Sequence, residues 1–565
     1  MHVDGDAGAL PGEQVAAAGA VGDAAAGSGF VLLVLAAGQF LMTLDSSVMN
    51  VSIRQVAADV GTTVVGIQTA ITLYTLVMAS LMITGGKLGA ILGRRRAMSI
   101  GLVIYGAGSI TTALAPNLGV LLAGWSVLEG IGAALIMPAI VALVAGNFPP
   151  VRRPAAYGMI AAAGAIAVAV GPLIGGAVTT FASWRWVFVG EAVIVLGILA
   201  ALRKVADTAP AGRTRFDVIG ALLSIAGLSL LVFGVLQSGT WGFVRPRPGG
   251  PRLLGTSPVI WLVVGGLLVI YGFLLWEGYV GRRGGEPLIR PRMLRNRQLA
   301  GGLSMFFFQF FVQAGVFFTI PLFLSVVLEL SALQTGLRLL PLSIALLAAA
   351  IGIPKLAPRA RPRLIVRLGL LSMIAGTLVL VGGISPGAGA GIVAVPMLLM
   401  GLGIGALASQ LGAVTVSAVP DRQSAEVGGL QNTVTNLGAS LGTALVGAVL
   451  IATLTTGLAS GVQASSAIPP QVKIQATTKL EAGVPFISDS DLTAQLRKAD
   501  IPAEQADAVV KANSTARLSA LRTALSVVAL IAVFALFLTG LIPAKPTGQA
   551  SGDASTLQPA EVGTG

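Results

Sequence analysis

The chain has no cysteine and a single histidine, His2. Without these residues it offers no structural zinc site, no iron–sulfur cluster, no histidine- or cysteine-ligated haem and no histidine-based triad. Charge is also scarce, because only 10% of the 565 residues are charged, whereas a soluble domain has roughly 25%. Hydrophobic residues make up 55% of the chain and the mean hydropathy is +0.87. The composition therefore predicts an integral membrane protein, and we expect no metal site and no cofactor.

Apolar runs of about 20 residues, the length of a helix that crosses a bilayer, recur along the whole chain. We predict an all-α protein with fourteen spans, near residues 30–53, 67–85, 98–115, 118–146, 157–181, 186–202, 217–237, 259–279, 299–328, 336–354, 364–384, 390–419, 427–458 and 517–541. Residues 1–29 contain no lysine or arginine and so lack the basic start of a signal peptide. We expect residues 1–29 and 542–565 to be disordered cytoplasmic tails.

The positions of the 36 lysines and arginines predict the orientation. With the N-terminus inside, 23 lie on the inner side and 13 on the outer side, and seven of the outer ones lie in the long segment 459–522. Long segments count little in the positive-inside rule, so both termini are predicted to be cytoplasmic. The net charge of +13 then reflects membrane topology. We therefore expect no nucleic-acid partner.

An internal repeat predicts the architecture. At one constant offset of 271 residues, spans 4 and 5 match spans 12 and 13 at six glycine or proline positions: Gly130, Gly132, Pro149, Gly158, Gly171 and Gly176 match Gly401, Gly403, Pro420, Gly429, Gly442 and Gly447. Equivalent spans eight apart imply two parallel six-helix halves with two inserted helices, a 6+2+6 arrangement. We place the first bundle at 30–203, the inserted pair at 204–298, the second bundle at 299–458 and 517–541, and an extracytoplasmic insertion at 459–516. Parallel halves are typical of transporters that rock around a site in the middle of the membrane.

Four motifs carry a family resemblance: LDSSVMNVSI at 44–53, GKLGAILGRRR at 86–96, Gly158 with GPLIGG at 171–176, and SWRWVF at 183–188. On these motifs the chain resembles, over nearly all its length, the fourteen-span drug:proton antiporters of the major facilitator superfamily. The resemblance implies the major facilitator fold and an acid in span 1 at Asp45. It also implies an inner gate in the loop between spans 2 and 3, with Gly86, Gly89, Gly93, Arg94 and Arg95, and an antiporter motif in span 5, with Gly158, Gly171, Pro172, Gly175 and Gly176.

The chain also departs from the family pattern. The loop motif usually has aspartate and then arginine where this chain has Ala90 and Ile91. Span 4 usually has arginine and glutamine where this chain has Ser126 and Glu129, and Glu191 replaces the usual asparagine. The usual inner gate and the arginine-assisted proton path of the family therefore lack their residues here.

Three acids lie within predicted spans, where a charged carboxylate is costly and is most often functional. By helix rise, Asp45 lies roughly 12 Å and Glu129 roughly 17 Å below the outer surface, so the two could share a cavity and a proton. Glu191 lies only about 8 Å from the outer end of span 6. The alternatives are that Asp45 bonds Ser46, Ser47 or Asn50, that Glu129 bonds a helix backbone, and that Glu191 snorkels to the surface.

Span 9 contains the segment MFFFQFFVQAGVFF, in which Gln309 and Gln313 share one helical face and Phe310 lies between them. Aromatic side chains with a few amides suit a pocket for flat hydrophobic compounds. The alternative is that the phenylalanines face lipid and the glutamines bond a neighbouring helix. Gln431, Asn432 and Asn436 of span 13 offer similar polarity.

Two basic or polar segments leave their roles open. Arg94, Arg95 and Arg96 either define topology and contact phospholipid or form part of a gate. In the outer insertion, Ser488 with Asp491 predicts the start of a short helix, and Pro502 predicts the start of a helix that continues into span 14. The insertion either extends the substrate path or is a tolerated addition.

The sequence favours an exporter of hydrophobic, often cationic, drug-like compounds in exchange for protons. No GxxxxGK[ST] motif is present, so ATP is not the expected energy source. A lipid or endogenous-metabolite exporter is the main alternative; a proton-coupled importer, a membrane enzyme and a channel are less favoured. We expect a monomer in a bacterial plasma membrane, with membrane lipids, protons and small hydrophobic or cationic substrates as its partners.

Overall fold

The computed structural model describes residues 11–149, 152–207, 216–247, 250–357, 360–419, 424–470, 473, 486–499 and 501–544. Within these ranges the chain is almost entirely helical and forms no β-strand. The first six long helices are α1 (Pro11–Asp59), α2 (Val64–Leu92), α3 (Arg94–Ala113), α4 (Leu118–Leu121, a π-helical stretch Leu122–Glu129, and Gly130–Asn147), α5 (Arg153–Phe181) and α6 (Arg185–Leu202). Short polar side chains cap two of them: Thr63 accepts from the backbone N–H of Gly66, and Asn117 from that of Val120.

Two helices, α7 (Val218–Trp241) and α8 (Pro258–Arg282), pack against each other as a pair. Helix α7 also contacts α2, and α8 faces outward over most of its length. Asp217 caps α7 by accepting from the Gly220 N–H, and Ser257 with Pro258 begins α8.

The remaining helices are α9 (Arg297–Leu322, continued by a π-helical turn Phe323–Val327), α10 (Ala332–Leu356), α11 (Pro362–Gly383), α12 (Ala394–Val416), α13 (Ser424–Ala464), the short α14 (Asp489–Lys498) and α15 (Ala503–Leu538). Ser331 and Gln334 form a reciprocal capping box at the start of α10. We call the end of the bundle that carries Gly93 and Leu541 the inner end, because the sequence predicts that it faces the cytoplasm, and the opposite end the outer end.

Thirteen helices in the described part of the chain are long and apolar enough to cross a membrane. They correspond to thirteen of the predicted spans, although several helices extend beyond the predicted limits. The remaining predicted span, 98–115, corresponds to α3, which has 20 residues but begins with three arginines and contains serine, threonine and glycine. A count of fourteen spans therefore stays a prediction.

The first helix differs from the expectation, because α1 begins at Pro11 within the segment that we predicted to be disordered. Residues 11–28 contain many alanines, and alanine has the highest helix propensity of all residues. Within α1, the described segment Gly29–Asp59 is long and apolar enough to span a membrane. The predicted tail at 542–565 lies mostly outside the described residues.

The two halves of the bundle pack closely toward the outer end. Gly176 of α5 lies against the backbone of α10, where an added Cβ would be 2.6 Å from the carbonyl oxygen of Ala332. A Cβ at Gly336 of α10 would likewise overlap the carbonyl oxygen of Pro172 in α5. Because no side chain fits between these backbones, α5 and α10 close this side of the outer end.

A second contact, between α2 and α13, closes the other side. The Nε2 of Gln68 donates to the backbone carbonyl of Thr443 at 3.1 Å, and Ser440 donates to the carbonyl of Thr72 at 3.0 Å. Gly447 provides the space that the Gln68 side chain occupies. Gly176 and Gly447, which the repeat pairs at an offset of 271, thus lie in corresponding places, each against a helix of the other half.

The outer insertion bridges several helices. Ser488 caps α14 by accepting from the Asp491 N–H at 3.0 Å, which confirms the predicted start of this helix. The Asp491 carboxylate binds Arg54 of α1 at 3.2 Å, and buried Arg517 of α15 forms an ion pair with Asp489 at 2.6 Å. Pro502 is the N-cap of α15, so this helix does continue into the last predicted span.

Candidate functional site

Three acidic side chains from different helices meet in the interior of the structure, among helices α1–α6. Asp45 of α1, Glu129 of α4 and Glu191 of α6 each contribute a carboxylate oxygen, and these oxygens lie within 4.8 Å of one another. The exposed fractions of the three residues are 0%, 0% and 1%. The structure thus joins the three acids that we singled out one by one along the chain.

Aromatic side chains hold Asp45 in place. The indole Nε1 of Trp125 donates to Oδ1 of Asp45 at 2.8 Å, and Trp125 stacks on Tyr74 with ring centroids 5.0 Å apart. No described bond joins Asp45 to Ser46, Ser47 or Asn50; instead, the Asn50 amide donates to the carbonyl of Ser46 at 2.7 Å. The alternative in which Asp45 is tied to its own helix is therefore wrong.

A π-helical stretch positions Glu129. Residues Leu122–Glu129 form this stretch, and π-turns within α-helices are frequent at functional sites. The missing side chain of Gly108 in α3 makes room for the buried carboxyl group. A Cβ at Gly108 would lie 2.6 Å from Cγ of Glu129. The hydroxyl of Thr112 donates to Oε1 of Glu129 at 3.3 Å, so the described bond of this carboxyl group is to a side chain of α3 rather than to a helix backbone. Ser126, which replaces the arginine of the family pattern, donates to the carbonyl of Ala70 at 2.8 Å.

Glu191 faces the interior and does not snorkel. The hydroxyl of Tyr105, itself fully buried, donates to Oε2 of Glu191 at 3.2 Å. The helix rise gives the depth of Glu191 along α6 but not the side of the helix that faces the bundle. That side points toward α3, against which α6 packs.

The electrostatics of this carboxyl cluster are unusual for a buried site. One oxygen of each acid (Oδ2 of Asp45, Oε2 of Glu129 and Oε1 of Glu191) has no described hydrogen-bond partner. No ion pair among the described residues includes any of the three acids. Two full negative charges at 4.8 Å repel by about 3.5 kcal/mol at an effective dielectric constant of 20. The cluster is therefore suited to hold protons or a cation.

Protons can bridge or occupy the free oxygens of this cluster. Tyr74 and Trp125 place aromatic rings, which attract organic cations, beside Asp45. Hard metal ions bind oxygen ligands at 2.0–2.6 Å, so oxygens within 4.8 Å of one another also have a spacing that a metal ion could bridge. The donors are carboxylates only, which disfavours soft metals.

The antiporter-motif glycines of α5 serve packing. Gly171 lies against Ser47 of α1, and Gly175 lies against Val48 of the same helix. Gly176 contacts α10. A Cβ added at Gly158 would meet no described atom within 4 Å, so the predicted role of this glycine stays a prediction.

The inner loop recruits an acid that we did not predict. Gly93 adopts a positive φ of 98° between α2 and α3, a conformation that suits glycine. Asp207, beyond the end of α6, accepts from the backbone N–H of Arg95 at 3.0 Å, and the Arg95 guanidinium donates to the Val205 carbonyl at 3.1 Å. Asp207 thus contacts the loop in which Ala90 replaces the usual acid, although no sequence motif marks it.

The remaining loop residues pack or pair locally. A Cβ at Gly89 would be 3.5 Å from Ala97, and one at Gly86 would be 3.5 Å from Pro138. Lys87, between them, forms a 2.6 Å ion pair with Glu286, beyond the end of α8.

The polar pocket predicted at span 9 stays a prediction. The Oε1 atoms of Gln309 and Gln313 are both buried without a described partner, and Phe310 packs against the main core. An apolar cavity of about 390 Å³ is lined instead by Phe307 and Phe308 of the same helix. In α13, the side-chain amide of Asn436 donates to the backbone carbonyl of Asn432 at 2.9 Å, so this amide bonds its own helix.

Comparisons with known proteins support one family. Residues 35–443 match the family model described as Major Facilitator Superfamily. The chain is similar to the puromycin resistance protein of Streptomyces alboniger (28% identity over 451 residues, 79% of this chain and 85% of that protein). It is also similar to the cephamycin export protein of Amycolatopsis lactamdurans (30% identity over 433 residues, 74% and 83%). In fold it resembles an inward-facing bacterial homologue of the human lysosomal transporter Spinster, with a TM-score of 0.54, 14% identity and coverage of 91% of this chain and 98% of that chain.

Proposed function

The chain belongs to the Major Facilitator Superfamily, and from this we propose that it exports drug-like small molecules in exchange for protons. Asp45, Glu129 and Glu191 form the site that protons and cationic substrates share. The observation that carries this proposal is the buried cluster of three carboxyl groups, each with one oxygen free of described partners. Such a cluster must bind protons or a cation to be stable in the membrane interior.

The similar proteins support the substrate class. By their names, several confer resistance to an antibiotic or export one. We extend the export of antibiotics to the present chain. In this proposal the chain is a transporter, is not an enzyme and needs no cofactor. It is a monomer in a bacterial plasma membrane with both termini in the cytoplasm, and the proton gradient drives export.

The exchange follows from competition within the cluster. Protonated carboxyl groups are neutral, so the protonated cluster is compatible with a buried site. When the cluster opens toward the cytoplasm, a cationic substrate displaces the protons. The positive charge of the substrate then compensates the negative charge of the deprotonated carboxylates. Opening of the contacts of α5 with α10 and of α2 with α13 lets protons from outside displace the substrate. One site that cannot hold both at once is sufficient for antiport.

Transport in everted membrane vesicles tests this proposal. Vesicles with an acidic interior are loaded with ethidium from outside, and accumulation is compared for wild type, Asp45→Asn, Glu129→Gln and Glu191→Gln. We expect wild-type accumulation to collapse when an ionophore removes the pH gradient, and Asp45→Asn to lose it. Glu277→Gln in α8 is the matched control, since Glu277 is a buried acid outside the cluster. Its carboxylate accepts from the N–H groups of Leu288 and Ile289, which glutamine can also do.

Two results would contradict the proposal. Full pH-dependent accumulation in all three cluster variants would remove the carboxyl cluster from the coupling mechanism. Accumulation that follows an imposed Na⁺ or Mg²⁺ gradient, and not the pH gradient, would identify the cluster as a metal site.

A further inference from the structure

A large apolar cavity lies between the inserted helix pair and the second bundle. It has a volume of about 390 Å³, and its walls include Leu228, Phe273, Leu303 and Phe307. This volume lies in the range of about 300–1,000 Å³ that is typical of small-ligand sites. The cavity is separate from the carboxyl cluster, because none of the three acids lines it.

The cavity lies near the inner end and beside lipid. Ser224 and Leu303, which both line it, are six residues from the inner ends of α7 and α9, or about 9 Å by helix rise. Helix α8, which forms one wall, exposes apolar residues such as Leu268 and Leu275 on its outer face. The surrounding bilayer is therefore the nearest source of an apolar occupant.

A basic strip adjoins the cavity at the inner surface. Ile289 and Leu294 line the cavity, and the neighbouring Arg290, Arg292 and Arg295 are exposed. Of these arginines only Arg290 has a described ion pair, a 3.9 Å contact with Glu426. The alternation of apolar residues inward and arginines outward matches a molecule with an apolar chain and an anionic head.

One polar group inside the cavity also awaits a partner. The hydroxyl of Thr433 is buried, lines the cavity and has no described hydrogen-bond partner. A buried hydroxyl without a partner is costly. An ester carbonyl at the top of an acyl chain could accept its hydrogen bond.

From these observations we propose that the cavity binds one acyl chain of an anionic phospholipid from the inner leaflet. The phosphate group of the lipid contacts Arg292 and Arg295. The bound lipid fills the gap that has the inserted pair on one side and helices α9 and α13 on the other. It therefore stabilises the contact of the inserted pair with the second bundle. The arginines would repel the cationic substrates proposed above, so this lipid site is distinct from the transport site.

Lipid retention tests the proposal on the full-length protein. The protein is placed in nanodiscs of equal phosphatidylglycerol and phosphatidylcholine, purified again in mild detergent, and the retained lipids are counted by native mass spectrometry. We expect wild type to retain phosphatidylglycerol preferentially. Each juxtamembrane arginine contributes about fivefold to the binding of anionic lipid, so Arg292→Gln with Arg295→Gln should reduce this preference by up to about 25-fold. Arg203→Gln with Lys204→Gln, an exposed basic pair at the inner end of α6, is the matched control.

Filling the cavity tests the acyl-chain contact separately. Ala300→Phe with Ser304→Phe introduces two rings on one face of α9, where both residues line the cavity. We expect this variant to retain neither phospholipid, whereas Leu268→Phe on the lipid-facing side of α8 should behave as wild type. Equal retention of both phospholipids by wild type, or unchanged retention after the cavity is filled, would overturn the proposal. Elution profiles of the variants on size exclusion identify any that fail to fold.

Discussion

Closure of the outer end by α5 and α10 leads to a quantitative prediction for Gly336→Ala. A Cβ at this position would overlap the carbonyl oxygen of Pro172, so the outer-closed arrangement must loosen to accept alanine. Overpacking of this kind costs about 1–3 kcal/mol. The cost falls on the closed state alone, since the two helices separate when the outer end opens. The ratio of open to closed molecules should therefore rise by about 5- to 150-fold.

The chain contains no cysteine, so a single introduced cysteine reports this opening without background. Ser343 is buried in α10 and lines a small cavity between the halves, of about 10 Å³, with Pro172 and Phe317. In intact cells, a membrane-impermeant maleimide should label Ser343→Cys slowly when the outer end is closed. Addition of Gly336→Ala should accelerate labelling by the factor given above.

Gly352→Ala on the same helix is the matched control, because its Cβ would meet only the tip of Leu356 at 3.9 Å. It should leave the labelling rate unchanged. If Gly336→Ala folds and transports but is labelled at the wild-type rate, then the contact of α5 with α10 does not control access from outside.

Further predictions concern the carboxyl cluster and the outer insertion. In Gly108→Ala, the new Cβ would lie 2.6 Å from Cγ of Glu129. We therefore expect thermal unfolding to show a free energy of unfolding that is lower by about 1–3 kcal/mol. In vesicle transport, we expect ethidium export to fall to the rate of a cluster variant. Asp489→Asn removes the charge that pairs with buried Arg517 at 2.6 Å, so we expect a loss of about 1.5–3 kcal/mol in detergent unfolding assays. Asp507→Asn, at an exposed position of α15, should change stability by less than about 0.5 kcal/mol, and an equal loss in both variants would refute a role for the ion pair.

Hydropathy and motifs predicted most of the helices, because the length of a span and its apolar composition are properties of local sequence. The repeat offset also placed Gly176 and Gly447 in corresponding contacts. The limits of helices were harder to predict, since α2 and α13 extend past the membrane-length runs. The end of α2 at Leu92 depends on Gly93 and on Asp207, which is distant in sequence.

Prediction of the candidate site was less complete for a physical reason. Asp45 and Glu129 were expected to share a cavity because both are acids at similar depth. The partners Trp125, Tyr74 and Tyr105 were not predicted, because aromatic residues in an apolar span serve equally well as lipid contacts. Only the rotation of each helix about its axis decides which residues face inward, and that rotation is determined by tertiary packing.

Gln68 illustrates the same limit. A glutamine near the start of a predicted span has no distinctive pattern around it, and yet its amide donates across the interface of the two halves to Thr443. A polar residue in an apolar span was the one available signal. The same signal marks Gln309 and Gln313 in span 9, where two glutamines share one helical face.

Proton release on substrate binding tests the central claim most directly. Purified protein in weakly buffered detergent solution is titrated with ethidium while a pH indicator records released protons. The wild type is compared with a triple variant that combines Asp45→Asn, Glu129→Gln and Glu191→Gln. We predict that wild type and the Glu277→Gln control release protons in proportion to bound ethidium, and that the triple variant releases none. Binding by wild type without proton release, or equal release by the triple variant, would contradict a shared site for protons and substrate in the carboxyl cluster.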